Sequence, residues 1–485
     1  MNTVTAIADL TARQQNIRAL FDTLAPQRSR WLKRNRYFYD NDRAYMRFLI
    51  PAGCRVLEIG CGDGQLLAAL KPSYGVGVDF SAEMIRVARA SHPDLEFHVA
   101  NAEDPAALDI LKGPFDYIVI SDTIGLMEDC EALFARLHRH TSSETRLVVA
   151  YYSHLWDPLL SLAEWVGYKM PQVPQNNLPT ADIANLLTLA DYEIVRREWR
   201  QLVPRRLLGL GTVINLFIAP LPGIRRLCLR NYVVARPVPV RAKPARMPSA
   251  SVIVPCRNER GNIENAVKRT PAFAPDIEII FVEGHSKDGT YEECERVKAA
   301  YPDRDIKVFR QEGKGKGDAM RKGFAAARGD IVMILDADLT VPPESLPKFY
   351  DALALGRGEF INGTRLVYPM DADAMRFLNN IANHGFGVTF SYLLNQRFTD
   401  TLCGTKVLWR RDYHRIVANR SYFGDFDPFG DFDLIFGAVK LNLKIVEVPI
   451  RYAGRSYGET QISRFTHGWL LLRMVLFAWR KLKAF

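Results

Sequence analysis

The chain has 485 residues, 48% of them hydrophobic, and a formal charge of +10. That length calls for more than one core, and the hydrophobic share is ordinary for soluble globular domains. Seven scattered cysteines, odd in number and never spaced as a zinc or redox pair, exclude a disulfide framework or structural zinc and point to a reducing cytoplasm. The positive charge favours anionic partners such as nucleotides or phospholipid headgroups. Nucleic acid is not expected, because charge alone speaks for it.

In chain order, the first residues lack the basic start and apolar core of a signal peptide. The run Arg30-Trp31-Leu32-Lys33-Arg34-Asn35-Arg36-Tyr37-Phe38-Tyr39 reads as an amphipathic helix with a solvated basic face, or as a grip for a phosphate or anionic lipid. A strand then runs through Val56-Leu57-Glu58-Ile59 into Gly60, Gly62 and Gly64, and a helix starts near Gln65. Such glycines permit a tight turn and let a ligand approach the backbone, while the helix start offers unpaired amides. The next strand ends in Asp79, an acid about twenty residues after the turn and suited to ribose hydroxyls. Further strands are predicted over 115–120 and 146–150, and His154 follows the latter, placed to deprotonate a hydroxyl or to pack the site.

These pieces, in this order over most of residues 45–200, resemble class I S-adenosylmethionine-dependent methyltransferases. The resemblance implies a Rossmann-like α/β fold with S-adenosylmethionine bound around Glu58, Gly60, Gly62 and Gly64. Asp79 would hold the ribose, and adenine would lie near Asn101 and Ala102. The family usually carries Asp at the position of Asn101, whose amide oxygen still accepts a hydrogen bond. The methyl acceptor is not legible.

The stretch 207–224 is uncharged and bracketed by arginine pairs, but Gly209, Gly211, Pro220 and Pro222 argue against a spanning helix. Residues 236–248, rich in proline and positive charge, read as a linker between domains at 1–235 and 249–485.

The second domain opens with a strand at Ser251-Val252-Ile253-Val254-Pro255, followed by Asn258 and Glu259. A second strand ends in Glu283 and turns through Gly284 towards Asp288. Acids at strand ends suit a nucleotide, and Gly313-Lys314-Gly315-Lys316-Gly317 suits a phosphate-bearing ligand. Ile331-Val332-Met333-Ile334-Leu335 then reads as a strand buried on both faces that delivers Asp336 and Asp338, expected to face the same way. Two such charges repel by about 4 kcal/mol at an effective dielectric of 20, and a divalent cation holding a diphosphate is the useful remedy.

Together with Asn362-Gly363-Thr364-Arg365, Asp400-Thr401-Leu402-Cys403-Gly404-Thr405-Lys406, Glu447-Val448-Pro449-Ile450-Arg451 and the run from Arg455, this order is similar to family 2 inverting glycosyltransferases. The pattern is that of the dolichyl- and polyprenyl-phosphate sugar transferases, with a glycosyltransferase A fold. The resemblance implies that Pro255, Asn258, Glu259, Glu283, Asp288 and Lys316 line a nucleotide-sugar. Asp336 and Asp338 would hold Mg2+ or Mn2+, and Arg365, Lys406, Arg451 and Arg455 would meet the phosphate of a polyprenyl acceptor. Arg365, Arg451 and Arg455 are alternatively ion-pair partners. Lys406 stands where relatives commonly carry arginine, which loses the bidentate fork. Glu283-Gly284 replaces the usual Asp-Asp. Asp431 sits where members that use a sugar hydroxyl place their base, and equally where a helix would be capped.

The apolar run 469–479, interrupted by Arg473 and followed by Arg480, Lys481 and Lys483, is too short to span a bilayer. It is expected to lie in the interface of an anionic leaflet, giving a peripheral enzyme on the cytoplasmic face.

Overall fold

The computed structural model describes residues 10–104, 106–173, 175–176, 178–238, 246–367, 377–422, 430–451, 457 and 464–483, without the side chains of 377–384 and 464–468. The chain divides into two units, 1–238 with 484–485 and 239–483.

The first unit is built on seven strands: β1 (Arg55–Ile59), β2 (Tyr74–Asp79), β3 (Glu96–Val99), β4 (Tyr117–Ser121), β5 (Arg146–Tyr152), β6 (Tyr192–Arg200) and β7 (Arg230–Pro237). Their order is β3-β2-β1-β4-β5-β7-β6, with β7 antiparallel to both neighbours. Runs such as Ile118-Val119-Ile120 and Leu147-Val148-Val149-Ala150 are fully buried, as expected of strands covered on both faces. The order reverses between β1 and β4, and ligands of open α/β sheets gather above that point. The helix Ala12–Leu24 opens with a capping box in which the Gln14 amide donates to Thr11 Oγ1 at 3.2 Å and Thr11 N donates to Gln14 Oε1 at 3.1 Å. The basic run at 30–39 divides between the helices Arg28–Arg34 and Arg36–Leu49, the second burying Phe38, Tyr45, Met46, Phe48 and Leu49. β7 continues to Pro237, beyond the expected boundary at 235. Arg236 pairs across to Glu193 and is buried, so it is structural and no part of a linker. Most of the expected linker lies outside the described residues.

The second unit holds β8 (Ala250–Cys256), β9 (Ile277–Glu283), β10 (Asp305–Arg310), β11 (Ile331–Ile334), β12 (Phe360–Thr364), β13 (Lys406–Trp409) and β14 (Ile445–Pro449). The order is β10-β9-β8-β11-β13-β12-β14, and β13 alone runs antiparallel to its neighbours β11 and β12. Here the order reverses between β8 and β11. The expected pair of α/β domains, one Rossmann-like and one of glycosyltransferase A type, is what forms.

The helix Arg464–Leu482 turns Leu471, Met474, Ala478 and Leu482 inward while Trp469, Leu472 and Leu476 are exposed. No described helix is long and apolar enough to cross a membrane. In the first unit the 207–224 stretch forms short turns of helix, Leu207–Gly209, Leu210–Val213 and Ile214–Ile218.

Candidate active sites

In the first unit, the turn after β1 uses positive φ at Gly60, Gly62 and Gly64 (72°, 54° and 74°), which residues with a Cβ rarely adopt. A Cβ at Gly60 would collide with the Thr123 side chain, so the turn is closed from β4 as well. Asp79, at the end of β2, accepts from the Gly62 and Ser81 amides, each at 2.9 Å, and so ties the turn to the second strand. Burial raises the Asp79 carboxyl above its ordinary range, although those two amides oppose the shift. Gly60, Gly62, Asp79, Asn101 and Ala102 all line one cleft enclosing about 980 Å³, solvent included. Asn101 Oδ1 accepts from Glu103 N at 3.1 Å, which leaves one of its two lone pairs.

Glu58 and Gly64 do not line the cleft. Glu58 is buried, and burial lifts its carboxyl well above the usual range while Arg28 opposes the shift. Gly64 caps the following helix Gln65–Leu70. Both shape the turn from behind.

A second cleft, enclosing about 1140 Å³ with solvent included, adjoins the first: Asp122, Tyr152, Gln172 and Gln175 line both. His154 lines only the second. Asp122 follows β4 in a left-handed conformation (φ 57°) and pairs with Arg230. The Arg230 guanidinium is 0% exposed and also donates to Asp42 Oδ1 at 2.8 Å and to Ser121 Oγ at 2.9 Å. It lies 5.2 Å from the centre of the Tyr152 ring. Burial pushes the Asp122 carboxyl up, and Arg230 restrains it. Sequence reasoning missed this network. The available signal was an acid at the end of β4, the same kind of signal that singled out Asp79.

In the second unit, β11 ends at Ile334, and Leu335 N continues the ladder to Ile253 O at 3.0 Å. Asp336 and Asp338 therefore lie in a turn rather than on the strand, closed by Leu339 N to Asp336 O at 3.1 Å with Leu339 at φ 52°. Strand alternation does not orient them. Asp338 Oδ1 accepts from Thr340 Oγ1 at 2.8 Å. Lys316 opens the helix Lys316–Ala326, with Gly315 as its cap at φ 85°. Its Nζ lies 2.6 Å from Asp336 Oδ1 and 3.8 Å from Asp431 Oδ1. Burial works against charge on Asp336, yet Lys316, with Lys406 and Arg365 behind it, holds that carboxyl below its ordinary range.

Asp431 stands at the N-cap of the helix Phe432–Lys440, but its side chain makes no capping bond. It is 5% exposed, and burial raises its carboxyl above the usual value, opposed by Lys316 and Lys406. Gly430, at φ 78°, brings its backbone onto Gly317: a Cβ there would sit 2.5 Å from Gly317 Cα. The glycine-rich loop and the Asp431 segment are thus packed backbone to backbone.

The loops after β8 and β9 are stitched together. Asn258 N donates to Ser286 Oγ and Lys287 N donates to Asn258 Oδ1, both at 2.9 Å. Asp288 Oδ2 accepts from Arg260 N at 3.2 Å and its Oδ1 from Thr290 N at 3.1 Å. Glu259 Oε2 accepts from Asn262 Nδ2 at 2.7 Å, and Glu283 accepts from Ser286 N. Pro255, near the end of β8, pairs with Val282 of β9.

The expected acceptor cations diverge. Arg365 sets its fork on Asp400, with Nε 2.7 Å and Nη2 2.9 Å from the two oxygens. Burial would raise Asp400, and Arg365 holds it down. This is the ion-pair alternative, because the fork is directed at a buried carboxylate. Lys406 is fully buried on β13 and donates to Cys403 O, so it is a source of field at Asp336 rather than a clamp on an incoming phosphate. Arg451 is exposed after β14, and Arg455 lies outside the described residues.

Residues 31–197 match the family model Methyltransferase domain, and residues 251–417 match Glycosyl transferase family 2. The chain joins a methyltransferase-family domain to a family 2 glycosyltransferase domain. Over 219 residues it is 29% identical to a dolichol-phosphate mannosyltransferase from Pyrococcus furiosus, covering 44% of this chain and 59% of that protein. Over 118 residues it is 33% identical to an undecaprenyl-phosphate 4-deoxy-4-formamido-L-arabinose transferase from Pseudomonas fluorescens, covering 24% of this chain and 35% of that one. The chain thus spans little more than half, or less, of the curated relatives' lengths. A solved SAM-dependent methyltransferase from Thermotoga maritima aligns with 45% of this chain and 99% of its own, at 20% identity and a TM-score of 0.36.

Proposed function

We propose that the glycosyltransferase unit passes a sugar from a nucleotide-sugar to polyprenyl phosphate with inversion at the anomeric carbon, and that the methyltransferase unit uses S-adenosylmethionine. The observation that carries the first part is Lys316, set between Asp336 and Asp431 at the reversal point of the sheet. The two sequence relatives, a dolichol-phosphate mannosyltransferase and an undecaprenyl-phosphate 4-deoxy-4-formamido-L-arabinose transferase, support the choice of acceptor.

The stitched loops after β8 and β9 would seat the nucleotide, through Pro255, Asn258, Glu259, Glu283 and Asp288. Asp336 and Asp338 offer hard oxygen donors that fit Mg2+ or Mn2+. Among the described residues no group of three or more His, Cys, Asp or Glu gathers to hold a metal alone, so diphosphate and water would complete the shell. Bound there, the cation would neutralise diphosphate charge. Lys316 and the amides of the helix it opens would stabilise the charge that grows on the departing diphosphate. The acceptor phosphate, already anionic, would attack from the opposite face without a general base. Arg451 remains as a candidate contact for that phosphate, and Arg455 by sequence alone. The exposed apolar stripe on the helix Arg464–Leu482 supports a peripheral seat on the membrane, on its cytoplasmic face by the cysteine usage.

A second reading has its own support. Asp431 is buried beside Lys316 without acting as a cap, and its raised pKa makes its carboxylate a stronger base once ionised. That would suit a sugar-hydroxyl acceptor. Asp431→Asn separates the two in a transfer assay. A rate near that of the unaltered enzyme supports the phosphate acceptor. Near-total loss with donor binding intact supports the hydroxyl, and the unaltered enzyme's rate should then rise with pH through the elevated pKa of Asp431.

A further inference from the structure

The helix Asp157–Trp165 of the methyltransferase unit is inverted relative to an ordinary surface helix. Asp157, Leu160, Ser161 and Glu164 line the second cleft. Leu159, Leu162 and Trp165, at helical spacing on the other side, are exposed, Trp165 to 84%. None of the helix's residues is buried. Beside it, the 207–227 segment exposes Leu208, Leu210 and Phe217. Contacts join their flanks: Trp156 Nε1, just before the helix, donates to Leu227 O at 2.8 Å, and the Arg205 guanidinium lies 4.8 Å from the centre of the Tyr168 ring, just after it. Arg205, Arg206 and Arg226 flank this apolar face and are themselves exposed. Exposed apolar side chains on two neighbouring segments, bordered by cations beside a cleft that one of them lines, are costly in water and complementary to a lipid surface of negative charge.

We propose that this face docks on an anionic bilayer and that the methyl acceptor is a membrane amphiphile. Its polar head enters the second cleft while its chain stays in lipid. The proposal rests on the reading of this unit as an S-adenosylmethionine-dependent enzyme. The head's lone pair forms the new bond to the methyl carbon, the carbon–sulfur pair returns to sulfur, and the acceptor's proton passes to water. The second cleft reaches the cofactor cleft through Asp122 and Tyr152, which line both, so a head held in one meets a cofactor held in the other. The inverted helix thus has a use for each side: polar towards the head, apolar towards the bilayer.

The test is co-sedimentation of the full chain with phosphatidylcholine vesicles, with and without phosphatidylglycerol, for three proteins: the unaltered chain, a Leu159→Glu/Leu162→Glu/Leu208→Glu variant, and a Trp469→Glu/Leu476→Glu variant. S-adenosylmethionine affinity is measured by calorimetry on each, and labelled methyl is followed into the organic and aqueous phases of a membrane extract. The expected result is binding that needs phosphatidylglycerol and weakens with salt. Vesicle affinity should fall by at least about tenfold in the triple variant, with cofactor affinity unchanged and methyl label in the organic phase. Unchanged sedimentation of the triple variant, with loss confined to the Trp469→Glu/Leu476→Glu protein, would overturn the docking face. Conversion of a dimer to a monomer by the triple substitution without loss of vesicle binding would instead mark the face as a contact between copies. Label confined to water-soluble product would overturn the acceptor class. Absence of cofactor binding by the unaltered chain would overturn the parent reading and the acceptor assignment with it, a failure visible in the calorimetry and separate from the vesicle result.

Discussion

Gly404 lies where the Asp336 carboxylate and the Lys316 ammonium converge. A Cβ there would overlap Asp336 Oδ2 and stand 2.7 Å from Lys316 Nζ. Gly404→Ala should therefore displace the pair that organises the glycosyltransferase site while the unit stays folded. A shift of this size costs about a hundredfold in turnover, measurable as kcat, and weakens metal-dependent donor binding as well, since Asp336 is a proposed donor to the cation on the diphosphate. A variant with normal kcat would show that the pair has slack. At this scale the sequence was informative about which side chains are chemical and less so about what each one touches. Asp336, Asp338 and Lys316 stood out by their setting, two carboxylates at the end of a buried strand and a lysine in a glycine-rich loop, and the structure brings Lys316 against Asp336. The tasks of Arg365 and Lys406 were not legible, because their partners Asp400 and the Cys403 carbonyl are set by the path of the chain before β13.

At the scale of elements, Glu278 fastens three strands at the edge away from the site. Its carboxylate, 4% exposed, accepts from Ser251 of β8, from Lys307 of β10 at 2.5 Å and from the Gly329 amide ahead of β11 at 3.2 Å. Burial alone would raise its pKa, but Lys307, Ser251 and the amides bring it down to about 2. Because the folded pKa is depressed, the stabilisation is complete above the unfolded value, about 4.5, and drains away as pH falls towards 2. Glu278→Gln should cost about 3–5 kcal/mol at neutral pH, since it leaves Lys307 without its counter-charge. The difference between the two proteins should shrink as pH falls below about 4.5, as read by urea denaturation. An equal difference at both ends of that window would remove charge from the explanation. The strands themselves were the most legible elements, being unbroken apolar runs. Where β11 stops was not, since Leu335 is as apolar as Ile334 and only the turn through Leu339 shows that alternation has ended. The inward polar face of the helix Asp157–Trp165 was equally hidden, because its outward residues look like those of a core.

At the scale of the whole molecule, the division into two α/β units was legible from two glycine- and acid-bearing strand series separated by a proline-rich stretch. The boundary drifted because Arg236 and Pro237 look like linker and serve as the end of β7. The net charge of +10 suits both proposed roles, anionic nucleotide-sugar on one unit and anionic lipid near the other. The most direct test of the account is transfer of labelled sugar from a panel of UDP- and GDP-sugars to undecaprenyl phosphate with Mg2+ or Mn2+, beside Asp338→Ala. Lipid-extractable product formed from one donor and lost in Asp338→Ala is the result predicted here. Metal-dependent donor binding without any lipid product from the whole panel would contradict it.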